Sequence, residues 1–346
     1  MCKSTRDLEV SFVMDHYGRS ALNCFAANPI DRLTVKRRDE AWLAEQIENC
    51  ETLFLPVWDS KQLFTDEPAP NAVLLSRPGA GELLKVAETI IFLGKDETGT
   101  YFALDLPRDN CTFPDTLAGL GQFQDLKRFG AVLQARQAAL LAYARALTYW
   151  HRRHRFCGDC GSPTESVDGG HRRLCTNDRC GEQHFPRTDP AIITLVHSDG
   201  RCLLGRQAIW PEGFFSAIAG FVEPGESLED AVVREIHEET GIRVTEVQYH
   251  SSQPWPFPGS IMLGFTADTR DEKIRLVDHE LEEARWFSRN DYRESLAAGL
   301  LRLPSSVSIA FRLIEDWYNA DASLSLKTFL DSLGDRQLFF AGRPSS

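Results

Sequence analysis

At 346 residues, with 42% hydrophobic and 25% charged side chains, the chain has the composition of a globular protein of two or three domains. A formal net charge of −12 argues against a general nucleic-acid or membrane-surface binder, and no apolar run is long enough to span a bilayer. Nine cysteines, no apolar leader core after Met1-Cys-Lys-Ser-Thr-Arg-Asp and no peroxisomal tripeptide at the closing Arg-Pro-Ser-Ser make a reducing, cytoplasmic location the expectation, with close cysteine pairs meaning metal and not disulfide.

Residues 1–125 read as one domain, in which short apolar runs such as Leu53-Phe-Leu-Pro-Val-Trp58, Ala72-Val-Leu-Leu75 and Thr89-Ile-Ile-Phe-Leu93 are separated by Gly, Pro and Asp turns. Asp96-Glu-Thr-Gly99 predicts a hairpin. From Asp125 to Arg153 the Ala- and Leu-rich pattern predicts a connecting helix (126–154) that buries Phe129, Val132, Leu133, Leu140, Leu141, Leu147 and Trp150. A cysteine-bearing segment, 155–187, follows. The remainder, 188–335, holds strands expected near 191–197, 201–206, 214–222, 243–250 and 260–267, with a hairpin turn at Ser198-Asp199-Gly200. Helices are expected near 306–319 and 323–333.

Cys157 and Cys160, then fourteen residues, then Cys175 and Cys180, have the layout of a zinc ribbon, in which two tight corners each give two thiolates to a tetrahedral ion. Gly158, Gly161, Asn177 and Gly181 supply the turns. Four thiolates leave no open position, so one structural zinc per chain is expected. The second corner is looser than the usual spacing of two, so His171 or His184 is an alternative fourth ligand. His151 to Arg187 carries seven Arg against five acidic residues, a mildly basic stretch that suits a phosphate chain or RNA as well as a solvated surface. Cys2, Cys24, Cys50, Cys111 and Cys202 have no spacing partner and read as ordinary core or surface residues.

The densest chemistry lies in residues 220–242. Glu235 and Glu239 are four apart on a helical stretch and Glu238 is three from Glu235, so three carboxylates share roughly one face. Like charges so placed repel, and a hard divalent cation, Mg2+ or Mn2+, would remove the repulsion. Gly220 and Pro224-Gly225 form a tight loop entering this helix, and Gly241 is a C-cap. The positions fit G-x5-E-x7-R-E-U-x-E-E-x-G-U, from Gly220 through Glu226 and Arg234-Glu235 to Glu238-Glu239, Gly241 and Ile242. This resembles the signature of the Nudix hydrolases, which cleave a diphosphate linked to a nucleoside.

Downstream, Ser252-Gln-Pro-Trp-Pro-Phe-Pro-Gly-Ser260 interleaves three prolines with two aromatics. Proline donates no ladder hydrogen bond, so the segment is not a central strand and reads as a stiff extended wall of rings and polar caps. SQPWPFPxS after such a box is similar to the NADH pyrophosphatase branch of the Nudix family. Further stretches carry the likeness across nearly the whole chain. Asp31-Arg32 with Arg38-Asp39-Glu-Ala-Trp42-Leu43 resembles the branch's N-terminal Nudix-like domain, Ala138 to Gly161 its helix-to-ribbon junction, and His184-Phe-Pro-Arg187 with Asp189-Pro190 its entry to the catalytic domain. Ser308-Ile-Ala310 with Leu313-Ile-Glu315 resembles its late helix.

The resemblance implies an α+β protein: a Nudix α/β/α sandwich preceded by a Nudix-like domain and a zinc ribbon. It implies hydrolysis of NADH or NAD+ to nicotinamide mononucleotide and AMP, NAD caps of RNA 5′ ends as a second substrate, and a homodimer. Glu235, Glu238 and Glu239 would hold the catalytic Mg2+ or Mn2+ together with Glu280, which has Glu282 and Glu283 as close neighbours; Glu239 or Glu238 would be the base. Arg234 would pair with Glu226. Phe221 would stack on the nicotinamide. Gln253, Trp255 and Ser260 would shape its ribose side, and Phe185 and Ser308 to Ala310 would line the rest. By residue type alone, Phe221 and Phe185 read as core. Other readings are a Nudix hydrolase of ADP-ribose or a dinucleoside polyphosphate, and a non-catalytic NAD or RNA sensor.

Overall fold

The computed structural model describes residues 15–66, 70–109, 117, 119–276 and 280–334; Cys2 and Cys111 lie outside them. The chain opens with α1 (His16–Leu22), capped by Asp15, whose carboxylate accepts the Gly18 amide, and α2 (Glu40–Glu48), capped in the same way by Asp39. Strands β1 (Thr52–Trp58), β2 (Lys61–Phe64), β3 (Leu75–Ser76), β4 (Thr89–Asp96), β5 (Gly99–Leu106) and β6 (Gln122–Gln124) form one sheet in the order β4-β5-β1-β2-β6, with β3 on β1; α3 (Arg77–Val86) lies between β3 and β4. The β4–β5 hairpin turns at Asp96–Gly99 as expected. Alternation along β4 and β5 sends Phe92, Phe102 and Leu104 to one core and Ile91, Leu93, Tyr101 and Ala103 to the other. Both faces are thus covered, which is why these strands read as continuous apolar runs.

The connecting helix is two helices, α4 (Leu126–Phe129) and α5 (Ala135–Arg153). The helix breaks after Gly130, which lies so close to Phe25 that a Cβ there would stand 2.9 Å from the ring, and the chain turns before α5. Val132 consequently lies exposed in the turn, against expectation, and Leu133 is half-buried. Leu140, Leu141, Leu147 and Trp150 are buried as expected. α5 packs on β4 and β1, while the Arg145 Nε donates to the Pro256 carbonyl at 2.8 Å, so this helix ties the first domain to the C-terminal one.

The ribbon, β7 (Thr164–Val167), β8 (Arg172–Cys175) and β9 (Gln183–His184), is anchored by two buried histidines. Arg173 donates to His151 Nδ1 at 2.8 Å, so the other ring nitrogen, Nε2, carries the proton to the Gly170 carbonyl at 2.8 Å. His171 Nε2 bonds the Phe92 carbonyl at 2.7 Å. Burial, more than any neighbouring charge, pushes both down to about 4. A histidine kept neutral in the fold but titrating near 6.5 when unfolded contributes stability that is full above 6.5 and lost as pH falls toward 4. Each is worth up to about 3 kcal/mol at neutral pH. The melting midpoint should therefore drop by several degrees between pH 7.5 and 5, and substitution of His151 by Gln should flatten part of that slope. A midpoint independent of pH across this window contradicts the assignment.

The C-terminal domain contributes β10 (Asp189–Ser198), β11 (Arg201–Arg206), β12 (Ile218–Phe221), α6 (Leu228–Thr240), β13 (Glu246–Trp255), β14 (Ser260–Asp268), β15 (Glu283–Phe287), α7 (Arg289–Ala297), α8 (Ile309–Ala320) and α9 (Leu326–Leu333). The sheet order is β13-β14-β10-β11-β15, with β12 on β10 and with β10 and β14 parallel. α6 covers one face through Val232 and Ile236 on Ile192, Val196 and Phe265; α8 and α9 cover the other on Ile193, Leu195 and Leu204. This is the expected α/β/α sandwich. Asp199 and Gly200 both take positive φ (45° and 74°) in the β10–β11 turn, as a two-residue hairpin requires. The sequence reading missed β15 and α7, and α1 to α3 in the first domain. The proline segment is half strand: β13 continues through Pro254 to Trp255 at the sheet edge, where the missing N–H costs no ladder bond.

Candidate active site

α6 is built to start and stop where it does. Ser227 caps it in a reciprocal box with Asp230, and Gly241 closes it at φ 70°. Its apolar face seats Ala231, Val232 and Ile236 on the sheet, which leaves the glutamates along the side facing the 220–226 loop. Arg234 organises that side. Its guanidinium donates to both Glu226 oxygens, to the Phe221 carbonyl at 2.9 Å, to Glu235 at 2.8 Å and to Glu238 at 3.0 Å. The bond from Arg234 holds Glu226 down at about 2, so the expected loop-to-helix pair is present and charged at any physiological pH.

Gly220 lies so close to Glu235 that a Cβ there would stand 1.9 Å from its Oε1. Only the end of a side chain is in the way, so Gly220→Ala displaces Glu235 more than it disturbs the backbone. The expected result is a loss of about 100-fold in turnover, typical of a group moved by about 1 Å, with a melting midpoint close to the parent's. Unaltered turnover would mean that Glu235 is not needed where it stands.

The four acids differ in setting. Glu239 is 3% exposed, Glu235 is largely buried, and Glu238 is half-exposed. Burial pushes the Glu235 carboxyl up, opposed by Arg234 and reinforced by the charges of Glu238 and Glu280. That last influence places Glu280 beside the box, although it is more than forty residues away in sequence. Its two competitors are engaged elsewhere: Glu282 with Arg206 at 2.7 Å, and Glu283 with Arg285. Glu280 accepts from the neutral amide of Gln207 at 3.0 Å. Gln207, just past the end of β11, carries no sequence signal; only the β11–β15 pairing reveals it.

Among the described residues, the four cysteines are the metal-capable group whose ligand atoms converge, all within 4.8 Å. Cys157 Sγ lies 3.8 Å from that of Cys180, and Cys160 Sγ lies 3.4 Å from that of Cys175. Tetrahedral zinc–sulfur bonds of about 2.3 Å put sulfurs about 3.8 Å apart, so the donor set fits the ion. Cys180 completes the site, and His171, bonded to Phe92, is not a ligand. His184 is not in the converged group either. Cys24, Cys50 and Cys202 are free thiols.

The substrate-facing positions divide. Phe221 and Phe185 are 60% and 63% exposed, so neither belongs to the core. Phe221 pairs with Ala191, Ala191 with Met262, and Asp189 with Ser260, which gathers Phe221 and Ser260 at one end of β10. Two strand spacings and two residues along the strand separate their backbones, about 12 Å. Gln253 does not face the cleft. It is fully buried, its Nε2 donates to the Cys24 and Val307 carbonyls, and its Oε1 accepts from the Ile309 amide at 2.8 Å. It fastens the wall from behind, joining the first domain to the start of α8. Ala310 is likewise buried in the α8 core. Sequence spacing does not say which way a strand or helix faces, so the burial of both was not legible there.

Residues 51–150 match a NADH pyrophosphatase-like rudimentary NUDIX domain, 152–185 a NADH pyrophosphatase zinc ribbon domain, and 186–303 a NUDIX domain. The NAD-capped RNA hydrolase NUDT12 of Homo sapiens is 34% identical over 87% of this chain and 74% of its own length. The chain belongs to the NADH pyrophosphatase branch of the Nudix hydrolases. The NAD-capped RNA hydrolase NudC of Mycobacterium bovis is 43% identical over 66% of this chain and 74% of its own. The protein is therefore a Nudix enzyme acting on NAD(H), with a structural zinc ribbon and a requirement for divalent metal. Among the described residues no helix is long and apolar enough to cross a membrane.

Proposed function

We propose that the chain hydrolyses the diphosphate of NADH and NAD+ to nicotinamide mononucleotide and AMP, and that NAD-capped RNA is a substrate of the same site. The observation that carries this reading is the strand register that sets Phe221 of the box and Ser260 of the proline wall at one end of β10, beside the loop that the box glutamates face. Such a site offers an exposed ring for a nicotinamide, a hydroxyl for its ribose, and acids for the diphosphate's counterions. Glu235, Glu238, Glu239 and Glu280 would hold Mg2+ or Mn2+, which neutralises charge developing on the diphosphate and makes water a better nucleophile. Arg234 fixes the loop, and Gly220 leaves room for Glu235. Glu239 or Glu238 would take the proton of the attacking water, and the burial of Glu239 at the last turn of α6 supports Glu239. The protein names of the two relatives support the capped-RNA substrate. The exposed Phe185 supports a homodimer in which this ring meets the second copy's site.

Equal amounts of NADH, NAD+, ADP-ribose and an NAD-capped oligoribonucleotide should be offered with Mg2+ or Mn2+ and the products separated by chromatography and mass spectrometry. The expected result is fastest release of nicotinamide mononucleotide from NADH or the capped RNA. Preference for ADP-ribose would remove the wall's assigned role, and binding of NADH without cleavage would favour a sensor.

A further inference from the structure

The proline wall is held from behind by the first domain. Trp255 and Phe257 pack against that domain's core, where the Phe25 ring stands 6.3 Å from the Trp255 ring and 5.6 Å from that of Phe257. Two cations of the connecting helices face the same rings. Lys127 of α4 lies 5.5 Å from the Trp255 centroid and 4.7 Å from that of Phe257, and the Arg145 guanidinium of α5 lies 4.8 Å from that of Phe257. Arg145 also donates from Nε to the Pro256 carbonyl at 2.8 Å. It is only 8% exposed. Among the described residues it forms no ion pair with a carboxylate, and Asp125 and Asp59 act on it as more distant charges. Burial, the largest influence on it, disfavours its charged form.

A buried cation without a carboxylate costs stability, and an apolar side chain of similar length is often tolerated at least as well. Packing alone therefore does not call for an arginine here. What a guanidinium adds is geometry. Its edge bonds the Pro256 carbonyl while its face meets the next ring, Phe257, so one planar group sets both the place and the tilt of the turn at 256–259. We propose that Arg145 is a positioning residue that sets the affinity for the nicotinamide half of the substrate by fixing the proline wall from behind. The proposal rests on the reading that this wall meets the nicotinamide side. It gives the first domain a part in specificity, because α5 packs on β4 and β1 and carries the side chain that holds the wall. ADP-ribose has the same adenosine and diphosphate without the nicotinamide ring, so its binding should not register the change.

Binding should be measured on full-length Glu239→Gln protein with Mg2+, NADH by the fluorescence of its reduced ring and ADP-ribose by calorimetry. Added Arg145→Met keeps the length and apolar stem of the side chain. It is expected to weaken NADH at least about tenfold, the scale of one charge-assisted hydrogen bond, and to leave ADP-ribose within about twofold. The melting midpoint should stay close to the parent's. Arg145→Lys, whose ammonium can still bond the carbonyl, should recover part of the NADH affinity with ADP-ribose again unchanged. If Arg145→Met does not fold, Arg145→Lys decides alone, because it keeps the charge and loses the planar edge and face. Trp255→Ala tests the wall itself. NADH weakened by Trp255→Ala and untouched at Arg145 overturns this proposal and leaves the wall reading standing; NADH untouched by either removes both. Equal loss of NADH and ADP-ribose, or Arg145→Lys binding no better than Arg145→Met, would show a general structural role and overturn the proposal as well.

Discussion

Glu239→Gln is expected to lower turnover by about two to four orders of magnitude while the protein still folds. The substitution keeps the shape of a side chain that is almost wholly enclosed, so packing at the C-terminal end of α6 is preserved. What it removes is the negative charge and the ability to accept a proton. Glu238 offers the contrast. It is half-exposed and bonded by Arg234, so Glu238→Gln should cost less in turnover and more in the affinity for added metal. Steady-state rates on NADH across a Mn2+ titration would separate the two effects. Near-full activity of Glu239→Gln at saturating metal would take this residue out of the reacting centre.

The second large effect concerns the ribbon. Cys175→Ser, or removal of the zinc, should unfold the segment between Cys157 and Cys180. The ribbon's sheet has strands of four, four and two residues and cannot bury enough apolar surface to hold itself together. Four thiolates on one zinc supply the difference, on the order of 10 kcal/mol in small zinc domains. Atomic absorption should find one zinc per chain, and limited proteolysis should cut the metal-free protein first between residues 157 and 180. The damage should spread, because His151 and His171 bond the ribbon's backbone neighbourhood to α5 and β4. A metal-free chain that resists cleavage there would show that the histidine anchors alone maintain the ribbon.

Much of this molecule could be read from local sequence. The α6 box was legible because a helix forces residues three and four apart to share a side, so the spacing of Glu235, Glu238 and Glu239 already implied their arrangement. Capping chemistry fixed its ends at Ser227 and Gly241, and turn chemistry fixed the hairpins at Asp96–Gly99 and Asp199–Gly200. The cysteine spacing marked the zinc corners for the same reason: a corner of a few residues brings two thiolates together whatever surrounds it.

Only the tertiary structure settled the properties that depend on what lies opposite a residue. Gln253 looked like a wall residue and is a buried tie between the first domain and α8; Val132 looked like core and is exposed in the turn between α4 and α5. Phe221 and Phe185 have the composition of core residues and the exposure of a binding surface. The hydrogen bond from Gln207 to Glu280 is visible only once β11 pairs with β15. The local chain dictates periodicity, caps and metal corners because those interactions span a few residues. Which face is buried, and what each polar group bonds, is decided by contacts between segments tens to hundreds of residues apart, and no short pattern encodes them.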